Sequence, residues 1–258
     1  MPARLARISL YPIKSLPPVG VQHARLLPSG PLQDDRRFAL VDDSGVIVTA
    51  KRTTRIHAVR ATFELAARCV ILAAGEARQP FHLDQDRVAM EQWLSEILSL
   101  PVKLIEDAAV GFPDDLESSG PTVISTATLE TVAGWFGLNL DEVRRRFRAS
   151  LEVEGVEPFW EDQLAGESGR PVAFRIGGVT LLGTNPCQRC AVPSRDSQTG
   201  EVLPGFARMF AEHRQRTLPA RAPRARFDHY YRLATNTRLH SGETLQVGDA
   251  VELLGAAD

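Results

Sequence analysis

The chain has 258 residues, enough to bury roughly three quarters of its unfolded surface, so it needs no disulfide or metal staple to fold. With 43% hydrophobic and 24% charged residues and a net charge of −2, it has no global positive field that would make nucleic acid its main partner. Three cysteines are too few, and too odd a number, for a disulfide framework, which points to a reducing, cytoplasmic setting.

The opening stretch MPARLARISLYPIKSL lacks an apolar core of signal-peptide length. It alternates instead, with Leu5, Ile8, Leu10 and Ile13 set among Arg4, Arg7, Ser9 and Lys14, and reads as a first strand. No run approaches the ~20 apolar residues of a membrane span, so the expectation is a soluble protein that engages no membrane. Short, alternating or β-branched runs follow: VQHARLL (21–27), RRFALVD (36–42), GVIVTA (45–50), HAVRATFEL (57–65) and CVILAA (69–74). Pro17-Pro18, Ser29-Gly30-Pro31 and Ser44-Gly45 mark turns, and DDSGVIVT reads as a hairpin. Several short strands in succession predict a barrel or sandwich.

A helix is predicted over RVAMEQWLSEILSL (87–100), where Met90, Trp93, Leu94, Ile97 and Leu98 share one face, Asp86 caps the start and Pro101 ends it. The turn-rich, acidic stretch 107–122 reads as a linker, placing the domain boundary there. Beyond it, TATLETVAGWFG (126–137) and LDEVRRRF (140–147) read as helices, the first stopped by Gly137 and the second capped by Asn139 or Asp141. SLEVEGV (150–156), VAFRIGGVTLLGT (172–184), DHYYRLAT (228–235) and ETLQVGDAVELL (243–254) read as strands, and GFARMFAEHRQR (205–216) as a helix after Pro204.

The chemistry-bearing segment is NPCQRC (185–190). Its Cys-x-x-Cys spacing lacks the second ligand pair that zinc wants, and Cys69, His213 and His229 do not supply one. Thioredoxin-like exchange needs the pair at a helix start, and Pro193 breaks any helix beginning there. Two readings stay open on spacing: ordinary packed thiols, or a thiolate, favoured by Arg189 and Arg195, on a soft metal delivered by an organic cofactor.

PCQRCAVPSRDSQTGE (186–201) resembles the cysteine segment of the MOSC family, in which Cys-x-Arg-Cys leads into a turn ending Thr-Gly. This chain keeps Arg189, Cys190, Asp196, Thr199 and Gly200, and has Pro193-Ser194-Arg195 where the eukaryotic pattern has Thr-Val or similar. LYPIKSLPPV (10–19) and DDRRFALVDDSG (34–45) resemble the N-terminal β-barrel domain that precedes MOSC. RRFRASLEVEGVEPFWED (145–162) and LQVGDAVELL (245–254) resemble later blocks of the family, in the same order. Among its members the chain resembles the amidoxime-reducing components of mitochondria and their bacterial counterparts.

The resemblance implies a mixed α+β fold. A β-barrel-like domain over residues 1–110 packs on a β-barrel-rich MOSC domain with peripheral helices over 111–258. It implies a molybdenum cofactor between them, the metal on the thiolate of Cys190 and the pterin phosphate gripped by Lys14, Ser15, Arg37, Ser125, Thr126 and Arg148. Ser150 stands where the family often has Asn and donates one hydrogen bond fewer. It implies reduction of an N-hydroxylated small molecule. With no GxGxxG fingerprint and no cysteines for an iron–sulfur domain, the electrons are expected from a separate reductase, ferredoxin or cytochrome-type protein.

Residue chemistry bears on these assignments. Arg forks, Lys and exposed amides capture anions, each charge-assisted bond contributing roughly 1.5–3 kcal/mol. Ser125-Thr126 before a helix reads equally as a phosphate cradle or a plain N-cap. Arg144 and Arg145 read as a solvated face, and Arg148 as the inward residue of RRRFR. Arg36 and Arg37 adjoin within a predicted strand, so they point to opposite faces, and Arg37 is the one expected inside. Asp196 is either a turn former or a catalytic aspartate near the metal. Glu161 and Asp162 suit a loop better than acid–base work.

Overall fold

The structure, a computed structural model, describes residues 2–166 and 169–256. The first half runs β1 (Arg4–Leu10), β2 (Val19–Val21), β3 (His23–Arg25), β4 (Phe38–Val41), β5 (Arg60–Glu64), β6 (Cys69–Ala74) and β7 (Ala77–His82). Helix α1 (Arg87–Leu98) and β8 (Lys103–Glu106) complete it. The second half runs β9 (Val123–Ser125), α2 (Thr126–Phe136), α3 (Leu140–Phe147), β10 (Leu151–Glu154), β11 (Val172–Ile176) and β12 (Val179–Gln188). Helix α4 (Phe206–Thr217), β13 (Arg232–Ser241), β14 (Thr244–Gln246) and β15 (Val251–Ala256) close the chain. The mixed α+β class expected from the sequence is what the structure has.

Eight strands form the main sheet, in the order β15-β11-β12-β13-β9-β10-β1-β2. The sheet curls: Leu5 N donates to Asp249 O at 2.8 Å and Val251 N to Ala3 O at 3.0 Å, so chain beside one edge strand meets β1 near the other edge. The core of this sheet joins Leu5, Ile8 and Leu10 to Val153, Phe174, Ile176 and Leu181. Strands β1 to β3 therefore pack with the second half, although the boundary near residue 110 assigns them to the first: β1 pairs with β10 and β3 with β14. The remaining first-half residues build their own core, with Phe38, Leu40, Val70 and Leu72 against Met90, Leu94 and Leu98 of α1.

Local chemistry explains most element ends. Asn139 caps α3 by accepting from Glu142 N, and Gly137 ends α2 at φ 62. Asp86 occupies the N-cap position of α1 without capping it; its carboxylate accepts from His82 N instead. The hairpin after β4 is reduced to a bridge between Val41 and Ile47 around an Asp42 turn, because the chain turns again at Thr49–Arg52 into the wall of the central cleft. Pro80 sits in β7, which pairs only with β6, so its missing N–H breaks no ladder. No helix is long and apolar enough to cross a membrane among the described residues.

Candidate anion-binding cleft

A cleft of about 870 Å³ lies where the two halves meet, and Cys187 and Cys190 line it. Its wall contains ten Lys or Arg side chains against four Asp or Glu, an excess of six positive charges in a chain whose net charge is −2. A concave wall of one sign concentrates field on its interior and favours an anionic guest.

Lys14 and Ser15 follow β1 in a turn, Ser15 at φ 72. Lys14 is buried, and its Nζ donates to Phe112 O at 2.7 Å and to Asp114 Oδ1 at 2.8 Å. Burial lowers its pKa, with Asp114 working against that shift. Arg148 is the left-handed C-cap of α3, φ 54, a conformation that turns its side chain back into the cleft. Its Nη2 donates to Leu16 O at 2.8 Å and its guanidinium carbon stands 4.1 Å from the Tyr11 ring centroid. Burial pushes its pKa down to about 10, and no carboxylate pairs with it among the described residues. Ser150 is 1% exposed, and its Oγ lacks a hydrogen-bond partner while lining the cleft.

The cysteine segment leaves the end of β12. Both thiols are half-buried. Between them, Arg189 donates from Nη1 to Cys187 Sγ at 3.2 Å and from Nη2 to Phe147 O at 2.6 Å, and its Nε is buried without a partner. Such orphaned donors are rare in protein interiors and mark a place where a ligand supplies the acceptor.

Four sequence-based assignments fall outside the cleft. Residues 33–36 form a turn rather than a strand, with Arg36 at φ 51, and Arg37 lies just before β4. Arg36 therefore enters the cleft, paired with Asp35, while Arg37 turns away to Glu106 Oε1 and Asp34 Oδ1, at 2.8 and 2.9 Å. Ser125 is fully buried as the N-cap of α2, accepting from Thr128 N at 3.1 Å. Thr126 donates to Glu152 Oε1 at 2.8 Å, so the hydroxyls of Ser125 and Thr126 are both spent inside the protein. Asp196 builds a turn: its Oδ1 accepts from Gln198 N and Thr199 N, both at 2.9 Å, and its Oδ2 lies 3.7 Å from Arg146 Nη2. Its oxygens thus hold the loop, and the neighbouring Ser197 and Gln198 line the cleft instead.

Sequence reasoning missed His57 and Arg60, which reach the wall from the 3-10 turn Thr54–Ala58 and the start of β5. Nothing in their local pattern distinguishes them from surface residues. No three His, Cys, Asp or Glu side chains converge as metal ligands among the described residues.

Fold and site together define a two-part, strand-rich protein with a basic cleft and a Cys-x-x-Cys segment in its wall. Residues 2–110 match the model of the MOSC N-terminal beta barrel domain and residues 121–252 that of the MOSC domain. The chain belongs to the MOSC family. It is similar to molybdenum cofactor sulfurase of Drosophila mojavensis, 26% identical across 96% of this chain and 34% of that protein. It is also similar to the sulfurases of Caenorhabditis elegans, 23% identical across 93% and 34%, and of Homo sapiens, 22% identical across 78% and 27%. The chain spans about a third of the length of these curated relatives. The YuaD protein of Bacillus subtilis superposes with a TM-score of 0.39 at 10% identity over 100% of this chain and 98% of that one.

Proposed function

We propose that this protein binds a molybdenum cofactor in the basic cleft and reduces N-hydroxylated small molecules with electrons from a separate donor protein. The observation that carries the reading is the wall itself: Arg148 and Arg189 without carboxylate partners, the orphaned Ser150 Oγ and Arg189 Nε, and two accessible thiols in one cavity. A phosphate-bearing pterin fits this donor set, because each unpaired donor gains a charged acceptor. Lys14, Ser15, Arg36, Arg148 and Ser150 would hold the anionic tail, and Cys190 would bind the metal. When bound, the group supplies two-electron redox chemistry able to take oxygen from an N-hydroxylated substrate, leaving the amine-type product and water.

The chain's own residues bind and orient. Arg189 ties the Cys187 sulfur to the end of α3 through Phe147 O, which fixes the path of the chain just before Cys190. The loop at 112–114, latched by Lys14, contributes Pro113 and Asp114 to one wall of the cleft. A cleft of about 870 Å³ is within the range of cofactor and small-molecule sites.

Protein made in a cofactor-competent host should contain stoichiometric molybdenum and reduce benzamidoxime with an artificial donor. Absence of molybdenum would defeat the proposal. A second reading, a cofactor carrier or sulfur-handling module without turnover of its own, is favoured by the names of the curated relatives. Bound molybdenum without benzamidoxime reduction would support it.

A further inference from the structure

At the end of the cleft where the turn Thr54–Ala58 meets the loop after Cys190, His57, Arg60 and Arg195 converge on one stretch of wall. Arg60 bridges the two halves, donating from Nη1 to His57 O at 2.6 Å and from Nη2 to Gln198 O at 3.0 Å. Arg195 donates to Ala50 O. Neither guanidinium forms an ion pair among the described residues, because the nearby acids are committed. Glu142 holds Arg145, Arg146 and Ser197, and Asp196 holds its own turn and Arg146.

One guanidinium donor and one ring nitrogen here are left over. Arg195 Nε and His57 Nε2 are buried with no hydrogen-bond partner. Burial, with the positive charges of Arg195 and Arg148, lowers the His57 pKa, and burial with Arg145 lowers that of Arg60. Uncompensated guanidiniums and unpartnered polar atoms are costly to hold in a partly dry wall. A carboxylate or phosphate offset by charge-assisted bonds removes that cost, whereas a metal cation would add to it.

We propose that His57, Arg60 and Arg195 form a subsite for an anionic group, a carboxylate or a phosphate, distinct from the Lys14 latch of the cleft. Two molecules would bring that chemistry: a substrate with its own anionic group, or a cofactor whose tail carries a second phosphate. The choice of occupant rests on the function proposed above; the binding itself does not.

The test uses the full-length chain free of cofactor. Inorganic phosphate and benzoate are titrated while the ring resonances of His57, assigned with His57→Gln, are followed by NMR. A saturable shift is expected, weakened about tenfold or more by Arg60→Gln or Arg195→Gln. Absence of a saturable shift in the wild-type protein overturns the subsite, as does an unchanged titration in a folded Arg60→Gln variant. In cofactor-loaded protein, a nucleoside monophosphate released by acid in step with molybdenum, and lost from Arg195→Gln with molybdenum retained, identifies a cofactor tail. A preference for 4-carboxybenzamidoxime over benzamidoxime that disappears in Arg195→Gln identifies a substrate.

Discussion

Arg189 Nη1 stands 3.2 Å from the Cys187 sulfur, so the guanidinium between the two thiols serves the first of them. This leaves Cys190 without a charged hydrogen-bond donor of its own among the described residues, and free to meet a guest in the cleft. Cys190→Ala should therefore abolish molybdenum retention, while Cys187→Ala should keep most of it. Arg189→Gln keeps a donor but loses the tie to Phe147 O, and should weaken retention by about 10- to 100-fold, as loss of an orienting partner does in metal sites. Metal analysis of the three purified variants checks this, and the reverse ranking of the cysteines would overturn the ligand assignment.

Arg148 tests the anionic tail. It is buried, its charge has no carboxylate partner, and burial holds its pKa down to about 10. The Tyr11 ring and Leu16 O compensate only in part. Arg148→Met removes the unpaired charge along with those contacts, so thermal stability of the cofactor-free protein should change by no more than about 1 kcal/mol. Binding of phosphate or cofactor should fall about tenfold or more in the same variant. Melting curves with and without phosphate separate the two effects; a large loss of stability without phosphate would mean the arginine is structural.

The four α-helices were legible because each has an apolar face and a start or stop signal, and Met90, Leu94 and Leu98 do face the core. The cysteine segment, Lys14, Ser15, Arg148 and Ser150 were also legible, and they line one cleft. Arg36 and Arg37 were exchanged because alternation in a strand was assumed where the chain makes a left-handed turn, which no period reveals. Ser125 and Thr126 were misplaced because a helix start advertises free amides but not the direction in which it points; here Glu161 Oε2 lies beneath it, 3.3 Å from Ser125 N. His57 and Arg60 come from the first half and reach the site only through tertiary packing.

The latch between Lys14 and the 112–114 loop predicts a local effect. Lys14→Ala removes two bonds from a buried ammonium, to Phe112 O and Asp114. The cost should be about 1–3 kcal/mol, with the loss confined to this side of the cleft. Hydrogen exchange should speed up across residues 110–118 and remain unchanged in α1. Uniform loss of protection would show that Lys14 supports the whole fold instead.

Glu161 gives the protein a pH-dependent term remote from the cleft. Its side chain is fully buried, accepts from Ser125 N and Thr128 Oγ1, and leaves Oε1 without a partner. Burial first, then the neighbouring Asp162, pushes its pKa up from 4.5 to about 7, against the pull of Arg214. The folded state thus holds a proton that the unfolded chain releases. The contribution is fully present below about pH 4.5 and is lost progressively as pH rises to about 7, above which it is flat. The shift corresponds to about 3 kcal/mol. Glu161→Gln keeps an acceptor for Ser125 and Thr128 but cannot ionise. Measured against wild type by urea unfolding, the variant should gain about 2–3 kcal/mol in relative stability between pH 5 and pH 8. A difference between the two proteins that stays constant across that range would show that the carboxyl is ionised throughout.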